Sequence, residues 1–96
     1  MRISFNPAKA KTNLKKHGVS FADAALIFEG FVISREDDRA AYGEQRFISI
    51  GLGCGVTVLV VAHLLEPDHI HIISARKAEP HEARHYWRAY AKQQGG

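Results

Sequence analysis

Residues 46–76 read RFISIGLGCGVTVLVVAHLLEPDHIHIISAR, and the topology turns on them. Arg46, Ile48 and Ile50 alternate with Phe47 and Ser49, the period of a strand with one buried face. Gly51-Leu52-Gly53-Cys54-Gly55 reads as a tight reversal into residues 56–65. That apolar run predicts a central strand buried on both faces. Glu66-Pro67-Asp68 makes another reversal, and residues 69–75 read as the last strand. Upstream, residues 31–35 are rich in β-branched and aromatic side chains, and a polar turn over residues 36–43 separates them from Arg46. Together these strands predict an antiparallel meander.

The flanks read as helices. Ile3 and Phe5 suggest a short first strand, and Asn6-Pro7 supplies a cap with Pro at the first helical position. That helix runs to His17, where Gly18 offers a left-handed exit. Its expected buried edge is thin, chiefly Ala10 and Leu14. Ser20 caps a second helix, with Asp23 three residues on and Phe21, Ala24, Ala25 and Phe28 expected in the core. Glu79-Pro80 opens a final helix with two stripes. Ala83, Tyr86, Trp87, Tyr90 and Ala91 form the expected core stripe; His81, Arg84, His85, Arg88 and Lys92 form a polar one. The prediction is one α+β domain over residues 1–96: a short N-terminal strand, two helices, an antiparallel meander and a C-terminal helix.

Composition excludes several classes. The chain is 46% hydrophobic and 24% charged, with 8 Gly and 3 Pro, which is neither collagenous nor disordered. A single cysteine, Cys54, precludes an internal disulfide. The longest apolar run is far short of the ~20 residues that span a bilayer, and no signal-peptide pattern follows Met1. A cytoplasmic, reducing location is expected, with no membrane partner. The net charge of +3 hides an uneven spread. Residues 1–17 carry Arg2, Lys9, Lys11, Lys15 and Lys16 with no acid, residues 18–45 are acidic, and the remainder is basic again. Either a polyanionic partner or a solvated face accounts for such segregation.

His81-Glu82-Ala83-Arg84-His85 satisfies the H-E-x-x-H pattern of zinc peptidases. A downstream third ligand is missing from residues 86–96, Arg84 sets a cation inside the ligand turn, and the helix start is expected at an edge of the fold without a cleft. No metal or other cofactor is therefore assigned. His69 and His71, with Asp68 and His63 near in sequence, read as an exposed face of an edge strand rather than a metal site. Cys54 reads as a spectator thiol. What remains is a set of cationic and polar groups: Lys9, Asn13 and His17 on one helical ridge, Arg46 opening a strand, Ser74 and Arg76 closing one, and Glu82, Arg84, His85 and Tyr86 on the last helix. If they converge, they offer what metal-free RNA cleavage requires. A base takes the 2′-hydroxyl proton, guanidiniums stabilise the phosphorane, and an acid protonates the leaving 5′-oxygen.

Four segments carry a longer likeness. They are Phe5-Asn6-Pro7-Ala8-Lys9; Asn13-Leu14-Lys15-Lys16-His17-Gly18-Val19-Ser20-Phe21; Tyr42-Gly43-Glu44-Gln45-Arg46-Phe47 with Ile50-Gly51; and residues 72–82 through Tyr86. In order and spacing they resemble the BrnT family, the toxins of type II toxin–antitoxin pairs. The resemblance implies a RelE-like fold, a metal-independent endoribonuclease that halts translation, and inhibition by a BrnA-type antitoxin with a ribbon-helix-helix domain. Operator DNA would be reached only through the antitoxin complex, which admits a dimer. It also implies site residues: His17, Arg46, Arg76 and Glu82 as catalytic groups, with Arg46 and Arg76 on phosphate and Glu82 or His17 transferring the proton. Lys9, Asn13 and Tyr86 would bind substrate, joined by Arg84 from the polar groups of the last helix. Several positions depart from the family pattern: Phe5, Asn6, His71, Ala83 and Trp87. Ala83 stands where the family usually has Arg, and Arg84 lies about 100° further round the helix. The rival readings are a catalytically weakened or inactive module that binds the antitoxin and acts as co-repressor, and a plain nucleic-acid binder.

Overall fold

The computed structural model describes residues 1–37, 45–53 and 55–95. The expectations placed on residues 38–44, most of the polar turn and the Tyr42-Gly43-Glu44 segment, and on Cys54 lie outside the described residues. Strand β1 (Arg2–Phe5) leads to helix α1 (Pro7–His17) and helix α2 (Phe21–Leu26), which ends in a 3₁₀ turn, Ile27–Glu29. Strands β2 (Val32–Asp37), β3 (Arg46–Gly53), β4 (Thr57–Glu66) and β5 (His69–Lys77) follow, then helix α3 (Pro80–Gln94). Among the described residues no helix is long and apolar enough to cross a membrane.

The caps form as the sequence predicts. Asn6 Oδ1 accepts from the N–H of Ala8 and Lys9, and Ser20 Oγ accepts from Asp23 N–H. Gly18 leaves α1 at φ 72°, a conformation open to glycine without strain. The sheet order is β1-β5-β4-β3-β2, with β2 through β5 antiparallel and β1 joined to β5 in parallel. β4 is the centre of the sheet, and its residues Val58, Leu59, Val60 and Val61 are buried on both faces.

Three strand expectations need correction. The expected glycine reversal is shorter than read, because β3 runs on through Gly53. The two strand glycines serve close packing: a Cβ at Gly51 would lie 2.8 Å from Ile27 Cβ, and one at Gly53 would meet the Leu59 side chain. β2 extends to Asp37, so Glu36 and Asp37 belong to the ladder and not to a turn. β5 is not an edge strand either, since β1 covers its first half. His69 and His71 there both meet Ser4 Oγ, at 2.7 and 2.8 Å.

The two faces of the sheet differ. One packs beneath α1, α2 and the 3₁₀ turn, around Phe21, Ala24, Ile27, Leu59, Val61, Ile70, Ile72 and Ala75. Ala25 and Phe28 pack against this core from its margin. His63 is on this face as well, 2% exposed, with Nε2 bonded to Ser49 Oγ at 2.7 Å. It is therefore on the opposite side from His69 and His71. The other face carries Ile48, Ile50, Val60, Ala62, Ser74 and Arg76 and stays open under the start of α3.

A β-bulge connects this fold to its site. Ala62 pairs with Ser74, but His63 pairs with Ile72, so Ile73 is an extra residue in β5. Strand side chains alternate with a period of two, so a regular β5 would put Arg76 on the same face as Ile70 and Ile72. The inserted Ile73 reverses the phase and turns Ser74 and Arg76 onto the open face.

Candidate functional site

The open face is the floor of a groove of about 860 Å3. Ile48, Ile50, Val60 and Ala62 form its apolar base. Around them stand Arg35 and Asp37 from β2, Arg46 from β3, Ser74 and Arg76 from β5, and Lys16 and His17 from the end of α1. His81, Glu82 and His85 from α3 complete the rim. Among the described residues that line it, Lys16, Arg35, Arg46 and Arg76 outnumber the carboxylates Asp37 and Glu82, an excess of positive charge before any histidine is protonated. Such a surface concentrates anions.

Arg46 and Arg76, thirty positions apart in the chain, thus face the same cavity. Arg76 pairs with Val60 and Val60 with Ile50, which places Arg46 two strands and four residues away. At about 5 Å per strand and 3.3 Å per residue, the two Cα atoms are on the order of 16 Å apart. Two long arginine side chains can close on an anion held between them across that span. Arg46 also contacts other groups of the protein.

Within the site Arg76 and Glu82 form a bidentate pair. Arg76 donates from Nη1 to Glu82 Oε1 at 2.7 Å and from Nη2 to Oε2 at 2.9 Å. Glu79 N–H donates to the same Oε1 at 2.8 Å, the reach-back half of a helix capping box. The Arg76 guanidinium, opposed by partial burial and aided by the Glu79 bond, holds the Glu82 carboxyl down at about 2. Glu82 raises the pKa of Arg76 in turn. A carboxylate held ionised in this way is a weak proton acceptor, and its two hydrogen bonds fix the direction of the Arg76 guanidinium. The H-E-x-x-H expectation shifts in a second way: His81, Glu82 and His85 do border a cleft, but both Glu82 oxygens are already committed.

Three expected substrate-binding residues have other places. Asn13 is 6% exposed. Its Nδ2 donates to Val19 O and Ala75 O, and its Oδ1 accepts from Ala75 N–H. β1 pairs with β5 only as far as Ile72, so the Asn13 carboxamide takes the place of a strand partner on the edge that β1 leaves open. Both of its N–H groups are consumed there, and none is left for RNA. Tyr86 is 1% exposed and donates its hydroxyl to Phe31 O at 2.9 Å, anchoring α3 over the start of β2. Burial raises its pKa. Arg84 does not line the groove, because the ridge of His81, Glu82 and His85 points inward and Arg84 lies about 100° away.

The helix stripes shift accordingly. Trp87, expected in the core, is 42% exposed, and Ala91 is exposed, leaving Tyr86 as the one buried residue of α3. Leu14 is 50% exposed, since Asn13 rather than Leu14 faces the sheet.

His17 and Lys9, eight residues apart on α1, line the same shallow groove. Lys9 lines a shallower groove of about 380 Å3 with Thr12, and that groove shares Lys16, His17, Ile73 and Ser74 with the main one. The two make one basic track along α1 and β5. Arg35 and Asp37 are the groove residues that sequence reasoning passed over. The signal available was the alternation of Ile33, Arg35 and Asp37 on one face of a strand, obscured by reading residue 36 as the start of a turn.

A small pocket of about 120 Å3 opens off the main groove. Ile33, Ser34, Arg35, Ile48, Ile50 and His85 line it, and all except Ile33 and Ser34 also line the groove.

Comparison with known proteins bears on this arrangement. No curated protein sequence matches the chain significantly. One solved structure that it resembles is the 1.1 Å crystal structure of the Brucella abortus ribonuclease toxin BrnT, at 26% sequence identity and a TM-score of 0.60. The match covers 82% of this chain and 97% of that one. The family description "Ribonuclease toxin, BrnT, of type II toxin-antitoxin system" matches residues 5–82, a span that runs from the last residue of β1 through β5 and includes the Arg76–Glu82 pair. The chain belongs to the BrnT family of ribonuclease toxins.

Proposed function

We propose that this protein is a metal-independent endoribonuclease that arrests translation by cutting RNA in the cationic groove, and that a BrnA-type antitoxin neutralises it. The observation that carries this reading is the convergence of Arg46 and Arg76 on one groove, with Arg76 clamped by Glu82. Clamping fixes a planar, permanently charged donor before substrate arrives, the condition under which electrostatic stabilisation is most effective.

The chemistry follows from the side chains present. The 2′-oxygen of one nucleotide attacks the adjacent phosphorus as its proton passes to an imidazole. His17 on the α1 wall takes that proton, and His81 on the α3 wall protonates the departing 5′-oxygen. Arg46 and Arg76 neutralise the extra charge on the phosphorane. A 2′,3′-cyclic phosphate and a 5′-hydroxyl result, with no change in proton count. Lys9 and Lys16 hold the flanking backbone along α1.

Incubation of the purified protein with single-stranded RNA in EDTA tests the reading. Cleavage should proceed with cyclic phosphate ends, and a single 2′-deoxy substitution should block the cut at that site. Folded, antitoxin-free protein that leaves RNA intact would instead favour the co-repressor module, in which the same basic groove holds an acidic antitoxin segment. Growth arrest on expression, rescued by co-expressed antitoxin, is the expected cellular counterpart.

A further inference from the structure

We infer that the small pocket beside the groove is a nucleobase subsite that receives one base next to the scissile phosphate and takes a pyrimidine in preference to a purine. This rests on the ribonuclease reading above. Ile33, Ile48 and Ile50 give the pocket an apolar floor, and Arg35 and His85 stand at its mouth. Both of these groups are planar, and unstacked RNA bases pack on histidine rings and guanidinium planes. Neither is drawn inward by an ion pair among the described residues; both are exposed at the surface.

Location adds to composition. Arg35, Ile48, Ile50 and His85 border the pocket and the groove alike, so a base in the pocket belongs to a nucleotide whose phosphate lies among the cations. Size sets the class of base. At about 120 Å3 the pocket is close to the ~150 Å3 apolar cavity known to take up benzene, a single six-membered ring. A purine's second ring would project past the mouth. Ser34 is bonded to Ser49 Oγ at 2.7 Å, and among the described residues the apolar floor offers stacking and exclusion of water without paired donor and acceptor side chains, so a preference between ring sizes is expected and not a strict reading of one base.

The test is cut-site sequencing on a random single-stranded RNA pool, followed by kinetics on oligonucleotides carrying a pyrimidine, a purine or an abasic nucleotide at the preferred position. The native protein should favour the pyrimidine over the abasic substrate by about tenfold in kcat/KM, the scale of one base stack. Ile33→Phe fills the pocket from a position that does not line the main groove, and should bring that ratio close to one. As a second, surface-based probe, His85→Ala should reduce the ratio and His85→Phe, which keeps a stacking ring, should restore it. Native cleavage indifferent to the base on either side of the cut, or a ratio unmoved by Ile33→Phe and His85→Ala, overturns the subsite alone. Absence of any cleavage by the native protein overturns the ribonuclease reading and the subsite with it.

Discussion

Replacing Glu82 with Gln removes the charge that holds Arg76 while keeping the shape of the side chain. In the native protein the Glu82 carboxyl sits at about 2, against an ordinary 4.5, chiefly because of its hydrogen bonds from Arg76. A gap of that size corresponds to about 3 kcal/mol of preference for the ionised form. The Arg76 side chain is 40% exposed, so water screens much of it, and a net loss of ~1–2 kcal/mol is expected. For a domain this small that lowers Tm by about 5–15 °C at pH 7. The sign with pH is fixed. A depressed carboxyl stabilises the fold above the ordinary value of 4.5, and the contribution is lost as pH falls through the folded value of about 2. The gap in stability between native protein and E82Q should therefore close between about pH 5 and pH 2, read by urea titration at each pH. If Glu82 positions Arg76 and does not transfer protons, cleavage by E82Q should fall about tenfold with the shape of its pH–rate profile retained. An unchanged Tm at pH 7, or loss of the acidic limb that a proton-accepting Glu82 would set, would refute this reasoning.

Other consequences can be measured directly. Asn13→Ala strips partners from the Ala75 backbone and from Val19 O, and should cost about 3 kcal/mol in urea unfolding. Gly51→Ala sets a Cβ 2.8 Å from Ile27 Cβ, and thermal unfolding should show a loss of ~1–3 kcal/mol from overpacking. Burial lowers the pKa of His63, so the unfolded chain takes up a proton that the native state refuses. Stability should fall by up to ~1.4 kcal/mol per pH unit below about 6.5, and His63→Leu should remove that component of the slope.

Much of the fold was legible because its signals are local. Asn6, Ser20 and Gly18 cap helices by contacts within three or four residues, and the run around residues 58–61 can only be a strand buried on both faces. The parallel pairing of β1 with β5 is a contact between the two ends of the chain, and no local pattern encodes it. The bulge at Ile73 was equally hidden, since one extra apolar residue in an apolar strand leaves the composition unchanged. For the same reason Gly51 and Gly53 read as a turn: what requires them is Ile27 and Leu59, brought close only by folding.

The site divides along similar lines. Arg46, Arg76, His17 and Lys9 stand out by type and position, and the structure brings them to one connected pair of grooves. Asn13 and Tyr86 belong to the same motifs but work inward, on a strand edge and on Phe31. A motif residue needed for architecture looks the same in sequence as one needed for chemistry. Glu82 shows the intermediate case, its role set by a hydrogen bond from a residue six positions earlier.

The decisive measurement is the single-turnover rate of RNA cleavage in EDTA for native protein, Arg76→Ala and Arg46→Ala, each checked for folding by its thermal melt. If these guanidiniums stabilise the phosphorane, each substitution should slow cleavage by about 10²–10³-fold while the protein stays folded. Folded variants that cut RNA at the native rate would show that the chemistry takes place elsewhere on the molecule.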